Sequence, residues 1–155
     1  MLKLVIRHDP PRPFLCLAGV IHRDDIPERI GALIARFSQF AASVPHMGSQ
    51  VALYHPQGHD PFGPDGEPVW LGRELLAPLD APAGLQMNWT PGGDVAVLVH
   101  EGPYEHMLKT HFALHRAVAE RDCELIGPNW ERYKNASNDE ANLRTEVCYL
   151  LGTTG

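Results

Sequence analysis

The chain has 155 residues, of which 44% are hydrophobic and 21% charged, and a formal net charge of −6. That is enough for one domain, residues 1–155, with a real core, and the acidic balance argues against direct nucleic-acid binding, which needs a basic face. No run approaches about 18 consecutive apolar residues, MLKLVIRHDP lacks the features of a signal peptide, and Cys16, Cys123 and Cys148 form an odd set without C-x-x-C spacing, so the expectation is a reduced, cytoplasmic protein with no membrane span and no disulfide or zinc scaffold.

In chain order, alternation predicts a strand near Phe14–His22. Ile30, Leu33, Ile34, Phe37 and Phe40 then share one face of a helix expected from about Ile26 to Ser43. The strands QVALYH and EPVWLG follow, and the stretches PQGHDPFGPDGEP and APLDAPAG mark loops. Trp89 is expected in a loop before the PGGD turn. DVAVLVHEG predicts a strand. The next helix runs from about Pro103 to Arg121, with Pro103 at its start, where a missing N–H costs nothing. NWERYK and RTEVCYLL predict the closing strands.

These elements form two similar strand–helix–strand–strand units, about 12–76 and 93–151. At an offset of 78, Leu17, Val20, Ile21 and His22 meet Val95, Leu98, Val99 and His100. At an offset of 79, Tyr54 falls on Tyr133, Glu67 on Glu146 and Trp70 on Tyr149. The expected fold class is therefore α+β: a duplicated strand–helix–strand–strand unit whose antiparallel sheet carries the helices on one face, with a ligand cleft at the pseudo-twofold seam.

GGDVAVLVHEGPYEHM, LIGPNWERY and NLRTEVCYLL resemble three successive signatures of the GyrI-like effector-binding family, the ligand-binding domain of Rob-type and multidrug-sensing transcription regulators that also occurs as free-standing small proteins. Gly102-Pro103-Tyr104 stands at the helix start, Gly127-Pro128 before a strand ending in Tyr133, and Thr145-Glu146 opens the last strand. The resemblance covers essentially the whole chain, more weakly in its first half. Leu150 stands where the family often has proline. The resemblance implies a pocket that takes bulky, lipophilic and often cationic molecules between aromatic walls and a buried glutamate. It also implies two alternatives: hydrolysis of cyclopropane-bearing natural products in that pocket, or a protein partner such as gyrase or a regulator.

The residues themselves single out Glu146, a carboxylate inside an otherwise apolar strand. Burying it unpaired costs several kcal/mol or forces protonation. Parity puts Glu146, Cys148 and Leu150 on one face, and Val147, Tyr149 and Leu151 on the other. With the helices over the second face, Glu146 looks into the cleft. In an antiparallel hairpin Glu131, which shares a face with Tyr133, looks into the same pocket. Tyr54, Tyr104 and Tyr133 then supply aromatic walls, and Trp89 closes one end. Were the protein an enzyme, Glu146 and Tyr133 would be its acid–base pair; solvated edge charges are the competing reading of both glutamates.

Trp70, Tyr149 and Trp130 read as core by the same parity. His111 and His115, at i and i+4, lack the H-E-x-x-H context, so no metal is expected and both read as a solvated helix face. Neither a G-x-S-x-G elbow nor a phosphate loop occurs, and no cofactor is expected. No segment outside the repeat is left for a helix-turn-helix. The sequence reading is a free-standing domain that binds a lipophilic, cationic aromatic compound for sequestration or sensing.

Overall fold

A computed structural model describes residues 3–22, 25–54, 66–134 and 140–152. Its strands are β1 (Val5–Asp9), β2 (Pro13–Ile21), β3 (Gln50–Tyr54), β4 (Glu67–Glu74), β5 (Gln86–Trp89), β6 (Gly93–Glu101), β7 (Leu125–Tyr133) and β8 (Arg144–Leu151). Two helices, α1 (Ile26–Phe40) and α2 (Met107–Glu120), complete an α+β fold. A 3-10 turn, Tyr104–His106, runs straight into α2. The strand pairings are antiparallel. No helix among the described residues is long and apolar enough to cross a membrane.

The chain divides into two compact units, one made of Met1–Pro11 and Pro91–Gly155, the other of Arg12–Thr90. In the second unit β2 lies between β4 and β5, and β3 pairs with the far side of β4. Helix α1 packs over the face that carries Gly19 and its partner Val69. A Cβ on Gly19 would come within 2.8 Å of Leu33 Cδ2, so glycine is what allows the helix this close. Gly72 is tighter still, since a Cβ there would sit 1.7 Å from the Leu15 carbonyl oxygen.

In the first unit the strands run β1–β6–β8–β7. Buried α2 residues Met107, Thr110, Leu114 and Val118 recur at three- and four-residue steps. The apolar ones pack on Leu4, Ala96, Leu98, Val147 and Leu151. Each such side chain stabilises the fold by about 1.5–3 kcal/mol when fully buried. His100, 4% exposed, ties the start of the helix to the sheet. Its Nε2 is 2.8 Å from the Pro103 carbonyl, which can only accept, so in the neutral ring Nε2–H donates there. Nδ1 then accepts from the Thr110 hydroxyl at 2.6 Å.

Several expectations change. β1 and β5 are strands that the alternation did not predict, and Trp89 ends β5 rather than lying in a loop. β7 begins at Leu125 and is irregular between Leu125 and Asn129. The offset of 79 fails for two pairs. Glu67 is opposite Ile21 on the side of α1, whereas Glu146 is opposite Val99 on the side away from α2. Trp70, opposite Ala18, points away from α1 and meets Phe14 at 6.3 Å. Tyr149 lies on the α2 side, against His111 and His115.

Candidate ligand-binding site

The ladder between β7 and β8 decides which face each candidate occupies. Glu131 is opposite Val147 and Tyr133 opposite Thr145, while Arg132 is opposite Glu146 and Trp130 opposite Cys148. Directly opposed residues of an antiparallel pair point to the same side. Val147 packs under α2, so Glu131 and Tyr133 also lie on the α2 side. Glu146, Arg132, Cys148 and Trp130 lie on the other. The expectation that Glu131 and Glu146 share a pocket is therefore corrected, as is the assignment of Trp130 to the helix side.

On the α2 side a hydrogen-bonded chain converges on Glu131, whose side chain is 8% exposed. The Tyr133 hydroxyl donates to Oε1 at 2.7 Å. His111 Nε2 is 2.7 Å from Oε2, and His111 Nδ1 is 2.8 Å from the Tyr149 hydroxyl. A carboxylate can only accept, so Nε2 carries the hydrogen and, in the neutral ring, Nδ1 accepts from Tyr149. The Tyr104 ring meets the Tyr133 ring edge-on at 5.5 Å, and His115 meets Tyr149 edge-on at 4.8 Å. Burial, and then the negative charge of Glu131, raise the pKa of Tyr104 above the ordinary tyrosine value.

Above this chain the helix presents an apolar rim. Tyr104, Leu108, His111 and His115 follow one another at three- and four-residue steps, which places them along one flank of the 3-10 turn and α2, and Phe112 lies one turn after Leu108. Tyr104 is 49%, Leu108 61% and Phe112 64% exposed. Tyr104, which meets Tyr133 beside the buried Glu131, brings this exposed flank to the carboxylate's surroundings.

The opposite face holds a different arrangement. Arg132 Nη1 is 2.8 Å from Glu146 Oε1, and Arg7 Nη1 is 3.1 Å from Oε2. Arg7 also grips Asp9 through two nitrogens, at 2.9 and 3.1 Å. Burial alone would push the Glu146 pKa up; the hydrogen bonds and charges of Arg7 and Arg132 outweigh it and hold the carboxyl below the usual glutamate range. Two guanidinium groups thus face two carboxylates. Next to them, burial pushes the Cys148 thiol up to about 12, which keeps it an inert neutral group.

Of the expected residues, Glu131, Tyr133 and Tyr104 come together. Glu146 stands across the sheet from them. Tyr54, buried and on the α1 side, and Trp89, 46% exposed at the end of β5, belong to the second unit. His111 and Tyr149, expected as part of a solvated helix face and as core, complete the chain to Glu131. The Thr145 hydroxyl, next to Tyr133 on the same face, is buried without a hydrogen-bond partner. Among the described residues no cluster of potential ligands could hold a metal ion.

The family model of the GyrI-like small-molecule-binding domain matches residues 3–151. The chain belongs to the GyrI-like family. Solved structures agree on the fold. The EcmrR C-terminal domain superimposes with a TM-score of 0.78 at 13% identity over 99% of both chains. EcmrR in its complex with DNA gives 0.81 at 13% identity over 99% of this chain, which spans only 58% of that regulator. SAV2435 bound to tetraphenylphosphonium gives 0.68 at 10% identity, over 97% of this chain and 94% of that one. No curated protein matches the chain. The α+β architecture, with antiparallel strands and a helix on one face of each unit, is thus the fold of the GyrI-like small-molecule-binding domains.

Proposed function

We propose that this GyrI-like domain binds a lipophilic organic cation on the α2 side of the first unit, for sequestration or sensing. Glu131 is the counter-charge, and Tyr104 and Tyr133, with Leu108 and Phe112, are the apolar walls. The observation that carries this reading is the kind of partner Glu131 has. Its carboxylate is buried against an imidazole and a phenol, with the Tyr104 ring standing against that phenol. A cation placed over the flanking tyrosine rings gains about 0.5–2 kcal/mol from each favourable ring contact, and more from a carboxylate already removed from water. The tetraphenylphosphonium held by SAV2435 is a ligand of this class.

Glu146 is read as structural, because each of its oxygens is held by an arginine. A ligand cation there would have to displace a guanidinium. The test is thermal shift with two probes of similar shape and opposite charge, tetraphenylphosphonium and tetraphenylborate. Anything that binds only the folded state raises its melting temperature. The expected result is a rise with the phosphonium and none with the borate. Equal shifts would leave hydrophobic capture without a recognition charge and would overturn the role of Glu131.

A further inference from the structure

Met107, Thr110, Leu114 and Val118 turn one side of α2 to the sheet. Glu105, Leu108, Phe112 and Arg116 follow at steps of three, four and four residues, so they form a second stripe, turned outward along the 3-10 turn and the helix. All four are exposed, Leu108 and Phe112 by more than half of their surface. One open leucine or phenylalanine is ordinary, but two on successive turns make a contiguous apolar patch, which marks a contact surface. The charges at its ends say what fits. Glu105 stands one turn before Leu108, in a loose surface contact with His106 at 3.6 Å, and Arg116 stands one turn after Phe112. A stripe that is acidic at one end, apolar in the middle and basic at the other is complementary to a copy of itself turned end for end.

We propose that the outward stripe of α2 is a self-association surface, on which a second copy of this chain lays its own α2 antiparallel about a twofold axis. Twofold symmetry makes every contact occur twice. With Leu108 against the partner's Phe112, the axis passes between them, and Glu105 and Arg116 each lie about 8 Å from it along the helix, on opposite sides. Glu105 therefore meets the partner's Arg116 in the same register that joins the apolar pair. Lys109, exposed beside the stripe, has a flexible stem that carries its ammonium out to water. The net charge of −6 opposes approach at long range. At about 0.15 M salt that repulsion is screened beyond about 8 Å, and the contact pairs decide. The pairing needs only α2 and is independent of the cation reading, in which Tyr104 leads to Tyr133 and the sheet.

A seam of one helix against another is smaller than the standard interface of about 1,600 Å², so the dimer should be weak, and sedimentation velocity of the full chain from about 5 to about 500 µM covers its range. The expected result is a shift from monomer to dimer across that series. Glu105→Arg and Arg116→Glu each set like charges opposite one another at two places, and each should raise the dimer Kd by about tenfold. The double variant, Glu105→Arg with Arg116→Glu, should return to within about threefold of the wild type. That recovery has no explanation inside one chain, because the two positions are about 16 Å apart along their helix. Phe112→Ser, at an exposed position, should stay monomeric throughout. A wild type that is monomeric at every concentration overturns the pairing and leaves the phosphonium site to its own test. A dimer indifferent to both reversals, a double variant that does not recover, or a Phe112→Ser variant that still dimerises overturns it as well. Should a charge reversal fail to fold, the comparison of Phe112→Ser with the wild type decides.

Discussion

Glu131 and Glu146 lie on adjacent strands of one sheet, both largely buried, and they meet opposite kinds of partner. Glu146 is held by Arg7 and Arg132, with Asp9 balancing the second charge of the pair. Glu131 is held by His111 and Tyr133. Burial is similar, with side chains 13% and 8% exposed, so burial does not separate them. The partners do. Arginine stays protonated at any ordinary pH, so the Glu146 cluster is an electrostatically matched clasp joining β1, β8 and β7. Histidine and tyrosine hold Glu131 through hydrogen bonds beside the tyrosine rings, the arrangement proposed above for recognition.

The largest effect should come from breaking the clasp. Arg132 is 2% exposed in its side chain, and Arg132→Met strands Glu146 with the more exposed Arg7 alone. A broken buried pair costs about 3–5 kcal/mol, measurable as a lower urea midpoint with an unchanged slope. A loss below about 1 kcal/mol would show that the clasp is no more than a surface pair.

Acid sharpens the same contrast. The folded pKa of Glu146 lies below its unfolded value, so the stability it adds is fully present above the ordinary glutamate value of about 4.3. It is lost as pH falls through the folded value. Denaturation midpoints should drop in that window for the wild type. They should drop less steeply in Glu146→Gln, which begins less stable but has one fewer carboxylate to protonate; equal slopes would deny Glu146 this part of the acid response.

Changes at the rim should be smaller. Tyr104→Leu keeps apolar bulk but loses the ring that stands against Tyr133. Phosphonium affinity should fall by about three- to tenfold, the range of one modest cation–π contact. Tetraphenylborate should respond no more than slightly. Equal losses for both probes would mean that the ring contributes shape alone.

Much of this architecture was legible in the residues. The spacing of Leu33 and Phe37 announced α1, Pro103 marked the start of the second helix, and the alternation in β8 correctly separated Val147 and Leu151 from Glu146. What parity within a strand does not contain is the phase of its neighbour. β7 is irregular between Leu125 and Asn129, and the ladder beyond that point sets Glu131, not Arg132, on the side of α2. A one-residue change of phase sends every side chain to the other face. β1 escaped notice because it pairs on one side only, exposing Val5 and Ile6 and carrying the charges Arg7 and Asp9.

The sequence carries a signal for His111. The residue lies four residues after Met107 and three before Leu114, both buried, so it borders the inward face of α2 instead of opposing it. A histidine at that margin, with a tyrosine of matching parity in β8, already suggested a polar contact under the helix.

The most direct test titrates tetraphenylphosphonium into the wild type, Glu131→Gln and Glu146→Gln, with the urea stability of each measured alongside. Glu131→Gln should lose at least about tenfold in affinity, equivalent to about 1.4 kcal/mol, and keep its stability within about 1 kcal/mol. Glu146→Gln should lose stability while its folded fraction binds the cation as the wild type does. The reverse pattern, with affinity lost in Glu146→Gln and retained in Glu131→Gln, would contradict the assignment of recognition to one glutamate and structure to the other.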